Sequence, residues 1–280
     1  MNNSFPKTDL ARLLSLPPRT RLLALLAACR FLTSNDLVRA GVEAADVETA
    51  DAAGCVLRLQ FQRRVTDRER TEVLALSRAG AKELARTLEV DPCSVPHSTR
   101  SNSRRSTFFL DHTLGRNSFA LALALHGQEA DSAALLSWEH DRDRLSDSVS
   151  IILPTGEFQR IPLEGDGLAI CRGPRGVEGI LVEIDRGTEP PRYLGRKYAG
   201  YLEWWRQDRP AKRFDVKPIR ILTVAPDERR TARLREACQA ATDGKAGGLF
   251  WFASEDAIMK EGVAARIWST AKVEHLPLWP

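Results

Sequence analysis

The run ILVEID, Ile180 to Asp185, constrains the fold of this chain more than any other stretch. It is apolar enough for a buried strand, yet Glu183 and Asp185 stand two residues apart within it. Successive side chains of a strand alternate. Ile180, Val182 and Ile184 therefore share one face, and Leu181, Glu183 and Asp185 the other. Two adjacent anions repel, and burying them is costly unless positive charge compensates. Any fold for this chain has to bring a metal ion, a Lys or Arg, or solvent to that face.

Upstream of this strand the chain divides at Asp91–Thr107, DPCSVPHSTRSNSRRST, which is rich in Ser, Arg and Pro without periodicity and reads as a linker. Before it, Pro17 and Pro18 lead into a helix with Leu22, Leu25, Leu26 and Cys29 on one face, ending near Phe31. Thr33, three residues before Asp36, opens a short second helix that runs to Gly41. A third spans about 43–53. Cys55 to Arg64 alternates as a half-buried strand, with RTEVLAL from Arg70 as its antiparallel partner. Ser77 then N-caps the helix of SRAGAKELARTL. Three helices, a hairpin and a closing helix outline a winged helix-turn-helix over residues 1–90, an α+β unit. From 108 to 280 helices alternate with strands, which predicts an α/β domain with a mixed sheet.

Residues 1–106 carry 17 Lys and Arg against 12 Asp and Glu, a surplus absent from the remainder of a chain whose net charge is +4. That balance fits contact with nucleic acid. The five cysteines are odd in number, far apart and form no CxxC pair, which argues for reduced thiols. MNNSFPKTDL has no secretory core and LLALLAAC is too short to span a bilayer, so the expectation is a cytoplasmic protein without a membrane partner.

Asp166, in EGDGLAIC, immediately precedes the first strand of a central pair, so a sheet could set it beside Glu183 and Asp185. Such carboxylates can supply oxygen ligands for Mg²⁺ or Mn²⁺, and the ion could polarise a phosphodiester and activate a water. Lys197 shares a helical stripe with Tyr193 and Tyr201, and its ammonium could stabilise charge on a phosphate. Glu139, after Trp138, is a weaker candidate for an accessory acid, and His112 for a catalytic group at a helix start.

VEIDRGTEP followed by RKYAGY, with HTLGRNSF, SWE, GDGLAI and LSRAGAKELA before them, resembles the replication-relaxation proteins of plasmids and integrated mobile elements, from about Arg19 to Val224. The resemblance implies a PD-(D/E)xK nuclease-like domain over 108–280, with Asp166 as its first acid and Glu183 as its second, and DNA as a partner. The sequence departs from that pattern at Gly165, where Pro is usual, and at Asp185, where the pattern has Lys. Lys197 is the candidate for a lysine supplied by the following helix. The candidate catalytic set is thus Asp166, Glu183, Asp185 and Lys197, with Asp166 and Glu183 as metal ligands. Two readings stay open: a metal-dependent DNA endonuclease, or a DNA-binding regulator or adaptor that keeps the fold without catalysis.

In the N-terminal domain the third helix carries Glu43, Asp46, Glu48 and Asp51 and no Lys or Arg, which opposes docking on phosphates. The expected DNA contacts are Arg58, Arg63, Arg64, Arg68 and Arg70 of the hairpin, with Arg100, Arg104 and Arg105 of the linker. The alternative is a domain that binds protein, including another copy of itself as a homodimer, through its acidic helix.

Overall fold

A computed structural model describes residues 4–62, 70–99, 107–129, 133–152, 156–216, 219–245 and 247–279. It divides into two compact units, Met1–Leu125 and His126–Pro280. The division falls inside a helix, past the 91–107 segment expected to separate the domains.

The first unit contains helices α1 (Leu10–Leu14), α2 (Pro18–Cys29), α3 (Ser34–Arg39), α4 (Ala44–Ala52) and α5 (Arg78–Leu88), and strands β1 (Leu32–Thr33), β2 (Val56–Phe61) and β3 (Thr71–Leu76). Leu22 to Cys29 of α2 are all buried, so this helix is the unit's centre rather than a half-exposed one. The Thr33 hydroxyl accepts from the Asp36 N–H at 3.1 Å, and Asp36 accepts from the Thr33 N–H, the reciprocal cap that starts α3. Ser77 caps α5 through the Gly80 N–H at 3.1 Å. The sheet has the order β1-β3-β2 and is antiparallel throughout. The two-residue β1, too short for any periodicity to declare it, was not anticipated. The first part of the expected linker lies against the unit: Val95 and Ser98 are buried, and the Ser98 N–H donates to the Leu76 carbonyl at 2.8 Å. Residues 100–106 lie outside the described residues.

Helix α6 (Thr107–Glu129) sends Leu110 and Leu114 into a cluster with Phe31, Phe61, Val73 and Ala75. Its buried Asn117 donates to the carbonyls of Cys29 and Phe31 at 2.6 and 2.8 Å. Between these lies Arg30, with φ +70 and ψ −43, a strained backbone for a residue with a side chain. Asn117 thus satisfies both carbonyls that the sharp exit from α2 takes out of the helix.

The second unit runs β4 (Ala134–Glu139), α7 (Arg142–Leu145), β5 (Ser146–Ile152), β6 (Phe158–Glu164), β7 (Gly167–Gly173), β8 (Gly176–Ile184), α8 (Pro191–Arg206), α9 (Arg209–Phe214), β9 (Ile219–Ala225), α10 (Glu228–Thr242), β10 (Phe250–Ser254) and α11 (Glu255–Glu261). Its main sheet is mixed, in the order β10-β9-β8-β7-β4. The β4/β7 and β7/β8 pairs are antiparallel, and β8, β9 and β10 run parallel. β5 and β6 form a separate two-stranded hairpin inserted between β4 and β7. Gly179 to Ile184 are all buried, as expected of a central strand covered on both faces. Leu181 joins Tyr198, Tyr201, Leu202, Ile221, Leu234, Phe250 and Phe252 in the core.

The stretch VEHLPLWP covers a core edge: Leu278 is buried and the Trp279 indole donates to Glu178 at 2.7 Å. All five cysteines are unpaired. Among the described residues no helix is long and apolar enough to cross a membrane.

Replacing Asn117 with Ala leaves two buried carbonyls without donors beside a strained residue. The expected loss is about 2 kcal/mol or more of stability, read as a lower denaturant midpoint with an unchanged slope.

Candidate functional site

The parallel β8/β9 pairing puts Glu183 opposite Thr223 near the carboxyl end of the sheet, and α8 returns across the sheet face that Glu183 occupies. Lys197 and Tyr201 are one turn apart on α8 and point the same way. The Lys197 ammonium donates to Glu183 Oε2 at 2.5 Å and to the Glu164 carbonyl at 2.8 Å. The Tyr201 hydroxyl donates to Glu183 Oε1. Glu183 is only 8% exposed. Asp166 is clasped to β8 on both sides of this residue: its N–H donates to the Val182 carbonyl at 2.9 Å, and its Oδ2 accepts from the Ile184 N–H at 2.7 Å. The chain can come this close because Gly165 precedes it, where a Cβ would stand 2.6 Å from Leu181 Cδ1 of β8.

Burial pushes the Glu183 carboxyl up to about 7, and the Asp166 charge pushes the same way, against the pull of Lys197 and Tyr201. Burial alone would lower Lys197, but the carboxylates of Glu183 and Asp166 outweigh it and hold the amine above its ordinary value. Lys197 is therefore an ammonium at neutral pH. Burial drives Tyr201 well above the usual phenol range, so its proton stays in place as the donor to Glu183.

Asp166, Glu183 and Lys197 thus lie in one cluster. Asp185 does not join them. Its two oxygens are held by the Arg230 fork of α10 at 2.7 and 2.8 Å, and Oδ2 also accepts from the Gly187 N–H at 3.1 Å in the turn that follows. Arg230 reaches on to the Glu189 carbonyl at 2.6 Å. Arg186 turns the other way and meets Glu255 of α11 at 2.6 Å, with only 5% of its side chain exposed. Arg230 was not singled out from the sequence. The available signal was the parallel strand–helix–strand pattern, which sets the first turn of α10 beside the end of β8.

Glu139 is spent locally on the N–H groups of His140 and Asp141 and on Arg144. His112 lies inside α6 rather than at its start. In the first unit, Arg58 differs from the expectation of a phosphate contact: its three nitrogens meet Glu48 at 2.6 Å, Asp51 at 2.8 Å and Glu72 at 2.9 Å. Those contacts use two of the four acids of α4 internally, and a third, Asp46, accepts from the Glu43 N–H at the start of that helix. Arg70 is exposed. Arg63, Arg64, Arg68, Arg100, Arg104 and Arg105 lie outside the described residues.

Among the described residues no group of three or more His, Cys, Asp or Glu side chains is arranged to hold a metal ion. A two-carboxylate site is nonetheless what Mg²⁺ takes when water and substrate phosphate complete its shell. Asp166 and Glu183 fit in kind: both are hard oxygen donors, near enough that the charge of one raises the pKa of the other.

A profile of the replication-relaxation family matches residues 23–217. No curated protein and no solved structure matches the chain.

The Glu183 carboxyl binds its proton more tightly in the folded chain than in the unfolded one. Between its ordinary value of 4.5 and about 7 the folded state holds the extra proton, so this contribution to stability falls as pH rises through that window. The expected loss is on the order of 1–3 kcal/mol. Glu183→Gln should flatten that slope when denaturation midpoints are compared at pH 5 and pH 8.

Proposed function

The chain belongs to the replication-relaxation family, and from that premise we propose that it is a DNA-associated protein of a mobile genetic element that breaks a DNA strand at the Asp166–Glu183–Lys197 site. Relaxing a closed duplex requires a strand to be opened, and the family description, replication-relaxation, is compatible with such chemistry. The observation that carries the reading is the convergence of those three side chains from the start of β7, the middle of the sheet and the covering helix. The order of α6, then the antiparallel β4, β7 and β8, then α8 and the parallel β9, supports a PD-(D/E)xK-like unit in which the lysine is supplied by the helix. The three-stranded sheet with α2, α3 and α4 supports a winged helix ahead of it.

Asp166 and Glu183 would hold Mg²⁺ or Mn²⁺, which when bound polarises a phosphodiester and makes water a better nucleophile. The chain's own groups divide the rest of the work. Lys197 keeps its proton, so it stabilises negative charge on a phosphate oxygen and does not act as a base. Tyr201 fixes the Glu183 carboxylate in one orientation. Arg230 does the same for Asp185, holding the strand end that carries Glu183.

Incubated with supercoiled DNA and Mg²⁺ or Mn²⁺, the protein should convert it to relaxed circles. Asp166→Ala and Glu183→Ala should each cost roughly 10²-fold or more in rate, and Lys197→Ala a comparable amount. No cleavage of supercoiled, linear or single-stranded DNA, or cleavage that survives both carboxylate replacements, removes the nuclease assignment.

The first unit supplies affinity in this reading, through phosphate contacts from Arg63, Arg64, Arg68, Arg70, Arg104 and Arg105. Neutralising Arg63, Arg64 and Arg68 together should weaken DNA binding and lower the slope of log affinity against log salt by roughly 2–3. An unchanged affinity would point instead to a protein-binding domain.

A further inference from the structure

We propose that the β5–β6 hairpin is a binding site for single-stranded DNA, with a phosphate at Arg160 and a base stacked on Phe158. This rests on the DNA-associated reading above and adds to it a strand-recognising element outside the Asp166–Glu183 cluster.

The hairpin has two unlike faces. Val149, Ile161 and Leu163 are buried in the core with Tyr201 and Trp204 of α8. Gly200 of α8 makes room for them, since a Cβ there would stand 2.8 Å from Ile161 Cγ2. Asp147 fixes the base of the hairpin by accepting from the Trp204 indole at 2.9 Å and from Arg209 at 2.7 Å. Arg209 also donates to the Ser148 carbonyl at 2.7 Å. The hairpin is therefore held in place from one side.

On the other face the register aligns Ser148 with Pro162, Ser150 with Arg160 and Ile152 with Phe158. A groove opens there, lined by Ser146, Asp147, Ser148, Arg160 and Pro162. Arg160 donates to the Ser148 hydroxyl at 2.8 Å and has no ion-pair partner among the described residues. Asp147 at the groove is already neutralised by Arg209. The groove thus offers hydroxyls and a guanidinium, a combination suited to a phosphodiester. Directly beyond it, Ile152 is 67% and Phe158 77% exposed, the two most exposed large apolar side chains among the described residues.

An aromatic face one cross-strand pair from a phosphate-type groove matches the alternation of base and backbone in a nucleic acid strand. A paired duplex hides its base faces, so Phe158 can stack only on an unpaired base. A second copy of the chain is a poorer occupant. Two apolar side chains beside serines and an arginine fall well short of the roughly 800 Å² per partner that a stable dimer buries.

Fluorescence anisotropy of a labelled oligonucleotide, single-stranded and as its duplex, without divalent metal, tests this with the full chain. Phe158→Ala should weaken single-strand binding about tenfold and duplex binding by less than about twofold, while Phe158→Trp keeps the affinity and gains a fluorescence signal quenched on binding. Arg160→Ala should weaken single-strand binding and lower its salt slope by about 0.7. Both side chains are exposed, so the variants should fold, which circular dichroism verifies. If wild type binds DNA and Phe158→Ala binds the single strand equally well, the hairpin proposal fails while the DNA reading stands. Equal losses on duplex and single strand overturn the single-strand assignment. Failure of wild type to bind any DNA overturns both. A wild-type dimer that Phe158→Ala converts to a monomer with DNA affinity intact would make this face a protein interface and end the proposal.

Discussion

The second unit depends on the pairing of a buried carboxylate with an ammonium delivered by the next helix. Glu183 lies within a strand otherwise suited to a fully apolar environment, and an unpaired charge there would be strongly destabilising. Lys197 and Tyr201 meet it only if α8 docks in one rotation and one register, because both reach from the same side of the helix. The pair therefore selects one packing of helix on sheet, which the surrounding apolar contacts alone would specify less sharply. The same contacts that fix the packing tune the site, since they leave Glu183 titrating near neutrality and Lys197 charged.

Much of this was legible in the sequence because it is written in local periods. The alternation of Ile180 to Asp185, the apolar run of α2 and the caps at Thr33 and Ser77 each specify an element within a few residues. The stripe of Lys197 and Tyr201 was visible as a four-residue spacing, but that the two would close on opposite oxygens of Glu183 was not. What escaped were features set by long-range pairing. β1 is two residues long, and β6 carries Pro162 and an exposed Phe158 in a stretch with no clean alternation. Asp185 looked like a third site acid because spacing says which face a residue takes and says nothing about which distant cation waits there. Arg230 lies 45 positions away.

The first unit carries the same lesson with the sign reversed. The acidic α4 looked hostile to any anionic partner when considered alone. In the fold Arg58 gathers Glu48 and Asp51 together with Glu72 of the neighbouring strand, so much of that negative charge is balanced internally. Charge counts along an element overstate the field it presents whenever the compensating residue lies in another element. One of the arginines expected to meet a phosphate, Arg58, is already committed to this balance.

Glu183, Asp185 and Arg186 lie within four consecutive positions, yet each is tied to a different helix: α8 through Lys197, α10 through Arg230 and α11 through Glu255. Among diverging descendants of this chain, a charge lost at one end of such a tie would favour a matching change at the other. Positions 183 and 197, 185 and 230, and 186 and 255 should therefore drift as linked pairs, each keeping its own history although three of the six partners are near neighbours along the chain.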